Sequence, residues 1–323
     1  MVASHWRLSA CAAALFAALY SATAGAADYP TGPIKLINPF PPGGATDLAG
    51  RLLATHLTNE WKQTVVVESR AGGNGLIGPT AVARSKPDGY TLLIASPSLA
   101  TAAATVKDMP IDPEKDLDGV SQLVETDFII AINPSLPVKT LQEFIALAKA
   151  SPGKLNYGSY AAGARLSTEY FKSLAGIDLT HVGYKGEALT IQALAANEVQ
   201  LVIATSVTLK EPAAKSAVRA LAVSGPRRSA SMPDIPTSTE AGLPAFNQMV
   251  WFGVFAPAGT PTEIKDKLSA EIATFLKQRD VVERLHSMGL EPKGSKPAEL
   301  SAFLKNEIRI AVETGKKAGI EPQ

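Results

Sequence analysis

Residues Pro41 to Asp47, PPGGATD, put two prolines, two glycines and one carboxylate between an apolar run, Ile34 to Ile37, and a helix-like run that continues to Leu57. A strand that stops at a glycine pair and restarts as a helix leaves the first helical amides without intrahelical partners. Those amides carry roughly half a positive charge, so an anion is their natural partner. Asp47 or Thr46 can supply that partner from within by capping its own helix. The sequence leaves both readings open. The loop lacks the lysine and hydroxyl that a phosphate-binding P-loop carries after its last glycine.

A second glycine run, Gly73 to Gly78 (GNGLIG), matches the dinucleotide fingerprint and follows a strand-like run. The helix after it is short, and the next strand is not followed by an acidic residue placed for a ribose. A glycine loop shaping a cleft wall is the better reading, and a secreted nucleotide-dependent enzyme is its rival. Ser151 to Lys154 fits S-x-x-K, but Pro152 and Gly153 break the helix that motif needs, and no G-x-S-x-G elbow exists. His56, His181 and His286 share no metal-ligand spacing. No catalytic residue, metal or cofactor is expected. Arg165 begins a helix, where a cation opposes the macrodipole unless an anion lies between them. Lys185, in GYKGE, reads as a solvated loop residue.

These loops need elements to hold them. Strand-like runs fall at 34–38, 64–68, 91–95, 128–132, 155–158, 179–182, 199–204, 220–224 and 251–256, with helical patterns between them, the alternation of a mainly parallel α/β sheet. The order strand, small-residue loop, helix occurs twice from Ile34 and twice again from Leu155, each time closed by a strand. The two halves echo each other in pattern, not in residues. Thr140 with Glu143, and Thr260 with Glu263 behind Pro261, have the spacing of capping boxes. Each pair follows a strand that leaves one half and feeds a helix of the next. Two such crossings predict two lobes joined by a two-stranded hinge with a cleft between them, residues 27–126 plus 250–323 forming one lobe and 127–249 the other. Helices near 262–278 and 297–315 should pack back on the first lobe.

The chain has 323 residues, 46% of them hydrophobic, enough for two domains of ~150 residues. Residues 1–26 have one charge, Arg7, a short apolar core and small residues SATAGAA at their end, and read as a cleavable signal peptide directing export to the periplasm. The only cysteine, Cys11, leaves with them, so no disulfide or thiol remains. Removing Arg7 leaves 30 basic against 30 acidic residues. A neutral chain argues against nucleic acid.

Seven blocks, among them YPTGPIKLINPFPPGGATDLAGRLLA, VVVESRAGGNGLIG, KPDGYTLLIAS, PGKLNYGS, HVGYKGEALTIQALAANEVQL and WFGVFAPAGTP, resemble in order and spacing the substrate-binding proteins of tripartite tricarboxylate transporters, the Bug family. The resemblance covers Tyr29 to the end. It implies a type II-like two-lobed periplasmic binding protein that closes over a small carboxylate. It implies a first binding loop at Phe40, Pro41, Gly43, Gly44, Ala45, Thr46 and Asp47, and a facing loop at Ser159, Ala161, Ala162, Gly163, Ala164 and Arg165. Ser96, Ser98, Thr126, Tyr184, Ala204 and Thr205 complete the pocket by position. The partners implied are the membrane subunits of such a transporter or a sensor kinase, and the expected state is a monomer. Gln200 and Ala204 stand where the family often has a carboxylate, and Arg165 lies in a loop about two residues short. Less negative charge and an added guanidinium suggest a dicarboxylate, with aromatic ones included.

Overall fold

The structure, a computed structural model, describes residues 29–160, 162–225, 227–317 and 322. The segment expected to be a signal peptide and Ala161 lie outside the described residues.

The branched run IKLIN forms β1 (Ile34–Asn38) at the centre of the first lobe, with β2 (Val65–Ser69) and β3 (Thr91–Ala95) parallel on either side. Between them run α1 (Ala45–Trp61) and α2 (Ile77–Ala83). The second half repeats this arrangement: β5 (Asn156–Ser159) is flanked in parallel by β6 (Thr180–Gly183) and β7 (Leu201–Thr205), with α6 (Ala162–Ala175) and α7 (Glu187–Ala195) between. The strand orders β2-β1-β3 and β6-β5-β7 have the same form. The pattern echo in the sequence is thus an echo of topology, with right-handed β-α-β units as the shared constraint.

Two antiparallel strands join the halves. β9 (Met249–Pro257) pairs with β3 and with the first part of β4 (Leu117–Ile132). β4 then pairs with β7 and with β8 (Arg219–Val223) from Phe128 and Ile129 onward. The sequence pattern predicts only the last five residues of β4. The reason is visible in the register, which shifts between Gly119 and Ser121 and again between Gln122 and Val124. Each irregularity changes which face a residue meets, so Val120, Leu123 and Val124 are all buried and no period of two survives.

The remaining helices are α3 (Pro97–Thr105), α4 (Pro113–Asp116), α5 (Leu141–Ala150), α8 (Ser206–Ala214), α9 (Thr262–Phe275), α10 (Arg279–Ser287) and α11 (Pro297–Lys317), with a two-residue β10 (Glu291–Pro292) beside β4. Thr140 caps α5 as a full capping box with Glu143. Thr260 does not cap α9. Its hydroxyl donates to the Pro257 carbonyl at 2.7 Å, closing the turn that leaves β9, and Pro261 takes the N-cap position. The predicted long helix over 262–278 ends at Phe275 and restarts as α10. α11 packs back on β4 and α3 in the first lobe, where Glu307 accepts a hydrogen bond from the Trp251 indole at 2.9 Å. Trp251 is among the largest fully buried side chains; burying one such ring stabilises by roughly 1.5–3 kcal/mol.

Gly119 is where α11 comes closest to β4. A Cβ there would lie 2.8 Å from both the Pro297 carbonyl and the Ser301 amide, and the Gly119 amide already donates to the Ser301 hydroxyl. Gly119→Ala should therefore lose about 1–3 kcal/mol of stability by overpacking, measured as a lower urea midpoint at unchanged slope.

Candidate functional site

The loop after β1 is built by local bonds. Asn38 Oδ1 accepts from the Phe40 amide at 3.1 Å, and Gly43 takes φ +92, a left-handed conformation that favours glycine. Gly44 is the N-cap of α1 in extended conformation, with no side chain to cap. Asp47 reaches back instead: its Oδ2 accepts from the Gly43 amide at 3.1 Å and from Arg51 Nε at 2.9 Å. So Asp47 serves its own helix in part, while its Oδ1 is buried with no partner. The GNGLIG run stands behind this loop. A Cβ on Gly75 would meet the Phe40 ring at 3.2 Å, and one on Gly78 would meet Pro39 Cα at 3.1 Å. These glycines let the chain pass close beneath a loop of the cleft, which is the wall-shaping reading.

Between the lobes lies a cavity of about 900 Å³, counting the part open to solvent. The first lobe contributes Phe40, Pro41, Gly44, Ala45, Thr46 and Asp47, and from the start of α3, Ser96 and Ser98. The second lobe contributes Gly163 and Ala164 from the start of α6, and Thr205, the N-cap of α8. All of these were expected from the sequence. Phe128, Val250 and Phe252 on the hinge strands form an apolar side. Five helices, α1, α3, α6, α7 and α8, thus present their starts to one space. Among the described residues, no lysine, arginine or histidine lines it. The partial positive charge that faces it comes from the main-chain dipoles at these helix starts.

Other expected residues lie elsewhere. Gly43 is turned to Asp47 and does not line the cavity. Thr126 is buried at the hinge, donating to the Gly289 carbonyl at 2.7 Å and sharing a hydrogen bond with Ser206. Ala204 is enclosed within β7. Ser159, Ala162, Arg165 and Tyr184 line a smaller pocket of about 550 Å³ with His181 and Tyr160. There Ser159 Oγ and His181 Nε2 are 2.8 Å apart, and Arg165 Nε is buried without a hydrogen-bond partner. Burial, then the Arg165 charge, holds the His181 imidazole below its usual pKa. Tyr160 lines both pockets and packs edge-on to Phe40 across the cleft at 6.4 Å. Gln200 belongs to neither pocket: its Oε1 accepts from the Asn156 amide at 2.9 Å.

The residue that sequence reasoning missed is Glu187. It opens α7, is 6% exposed and lines the main cavity. Its Oε1 accepts from the Thr205 amide at 2.7 Å and the Thr205 hydroxyl at 2.8 Å. Burial pushes its pKa above the usual carboxylate range, partly offset by donors from Thr205, Thr208 and the Ala45 amide. The Tyr160 phenol, buried beside it, is raised far above its ordinary value. In the sequence Glu187 follows Lys185 and Gly186 in a polar run, and nothing there marks it as turned inward.

The lobes touch around the cavity. The Gly163 amide donates to the Ser98 hydroxyl at 3.3 Å, and a Cβ on Gly186 would stand 3.3 Å from Pro41.

Residues 49–318 match the model of the tripartite tricarboxylate transporter family receptor. The protein BugT of Bordetella pertussis is 36% identical over 313 residues, 93% of this chain and 96% of that one. The solved structure of R. palustris Rpa4515 with adipate superposes with a TM-score of 0.88 at 34% identity, covering 91% of this chain and all of the other. The periplasmic binding protein BugD superposes at 0.86 and 30% identity, covering 91% and 100%. A cleft ringed by helix starts fits that company: the chain belongs to the tripartite tricarboxylate transporter receptor family, the Bug proteins, a family of periplasmic solute-binding receptors and not of enzymes.

Proposed function

We propose that this chain, exported by a cleavable signal peptide, captures a small dicarboxylate between its lobes and presents it to the membrane subunits of a tripartite transporter, a sensor kinase being the alternative recipient. It acts as a monomer, hinging where β4 and β9 cross at 126/127 and 249/250. The observation that carries this reading is the ring of five helix starts around a cavity that has no basic side chain among its described lining residues, a site suited to an anion that the main chain itself can hold. The adipate in the R. palustris relative supports the ligand class. Ligand contacts made by both lobes at once exist only in the closed form, so binding shifts the population toward closure.

One carboxylate sits at the start of α1. The far one of a longer ligand passes Tyr160 toward Arg165, whose buried Nε has no partner of its own. A panel of mono-, di- and tricarboxylates, aliphatic and aromatic, should raise Tm for dicarboxylates and leave it unmoved for NAD; a shift with NAD alone would reverse the assignment. By calorimetry Arg165→Ala should weaken adipate about 10- to 100-fold, the loss of a charge-assisted bond, and leave a monocarboxylate unchanged. Equal adipate affinity in both proteins sinks the Arg165 role.

Closure has its own test. A Cβ on Gly163 would stand 3.0 Å from Ser98 Oγ and 3.2 Å from Ser98 N, both across the cleft. Alanine also favours the helix by up to about 1 kcal/mol. Gly163→Ala should therefore keep or raise Tm without ligand while weakening dicarboxylate binding about tenfold or more through overpacking of the closed form only. Unchanged affinity would mean that the lobes need not approach this closely.

A further inference from the structure

Glu187 places a second carboxyl group where the proposed ligand's own carboxylate would arrive. Its Oε1 is occupied by Thr205, and its Oε2 turns across the cleft to lie 3.6 Å from the point a Cβ on Gly44 would take, beside the Ala45 amide at the start of α1. A ligand carboxylate seated at that helix start comes within hydrogen-bond range of Oε2.

Among the described residues, the groups facing this pair offer no neutralising charge. On α1, Asp47 is a further carboxylate, and Arg51, 52% exposed, is spent on it. On β7 and α8 stand Thr205 and Thr208, and from the loop before α6 comes the Tyr160 phenol. Across the cavity, α3 and α6 give Ser98 and Gly163, and the hinge strands give Phe128, Val250 and Phe252. Lys185 precedes Gly186 but is exposed and does not line the cavity. Two carboxylates this close, enclosed and without a cation, do not both remain ionised.

We propose that capture of a carboxylate by this receptor takes up one proton, held between Glu187 and the ligand in the closed complex. In the open form Glu187 faces water and is ionised. Closure strips that water and brings a second negative charge beside it, and the proton enters from solvent onto Oε2, which then donates to the ligand while Oε1 keeps its two donors from Thr205. A protonated Glu187 is a hydrogen-bond donor to an anion; an ionised one repels it. The same group selects against ligands that place an ammonium at this point only when protonated, so an amine-bearing ligand would bind without proton uptake. This inference rests on the carboxylate reading above.

The test is calorimetry with adipate, or failing that the tightest dicarboxylate of the panel, in two buffers of different ionisation enthalpy at a pH where free carboxylic acids are ionised. The expected result is uptake of about one proton per ligand, with affinity falling roughly tenfold per pH unit, since the complex binds one proton more than the free protein. Glu187→Gln, which keeps a fixed donor, should still bind and lose both the uptake and the slope. Difference infrared spectroscopy of the wild type should show a protonated-carboxyl band on ligand addition that is missing from the glutamine variant. Tight binding with no buffer dependence and no such band overturns the proposal, as does an undiminished slope in Glu187→Gln. If that variant does not fold, the wild-type uptake and band decide. Failure of every carboxylate to bind instead removes the reading beneath, and the proposal with it.

Discussion

The constraint on which this structure depends is that orphan amides at helix starts need partners, and here five sets of them face one space. In each half the helices start at the strand ends that border the cleft, so the parallel β-α-β order decides where the dipoles aim before any side chain is chosen. What the side chains add is enclosure. Phe40 against Tyr160 and Ser98 against Gly163 bring the lobes into contact, and the apolar hinge residues Phe128, Val250 and Phe252 keep one side of the cavity dry. In such a setting a main-chain hydrogen bond counts for more than it would in water.

Acidic side chains share this field. Asp47 uses part of it for its own helix and leaves one oxygen without a partner, while Glu187 extends from α7 toward the start of α1. The helix starts therefore offer donors to protein carboxyl groups, and at Glu187 these offset burial only in part. Whether such a group competes with a ligand or cooperates with it turns on its protonation, which is why a carboxyl with few charged neighbours carries so much of the pocket's electrostatic character.

Much of the architecture is legible in the sequence because it rests on local signals. The branched run IKLIN, the glycine pair at Gly43 and Gly44, and the Thr140–Glu143 box each specify their own geometry. The repeat of strand order follows from those signals taken in sequence. What was not legible depends on tertiary contact. β4 hides its first eleven residues behind two register shifts, and Thr260 abandons its cap for a carbonyl on the strand before it. Arg165 lies in the first turn of α6, not at its start, and lines the neighbouring pocket, while Glu187 turns inward from a polar run, because a 100° step per residue on a helix cannot be read without knowing which face meets the other lobe. The direction in which a loop residue points belongs to the packing.

The helix starts that face this cavity offer peptide groups, and that has an evolutionary corollary. A point substitution repaints a side chain but leaves the polypeptide's own donors standing, so the attraction for negative charge is inherited with the scaffold. The parts of the wall that a substitution can repaint are side chains: the rings of Phe40 and Tyr160, and an ionisable stud such as Glu187. A lineage built this way can change its diet without having to reinvent its mouth.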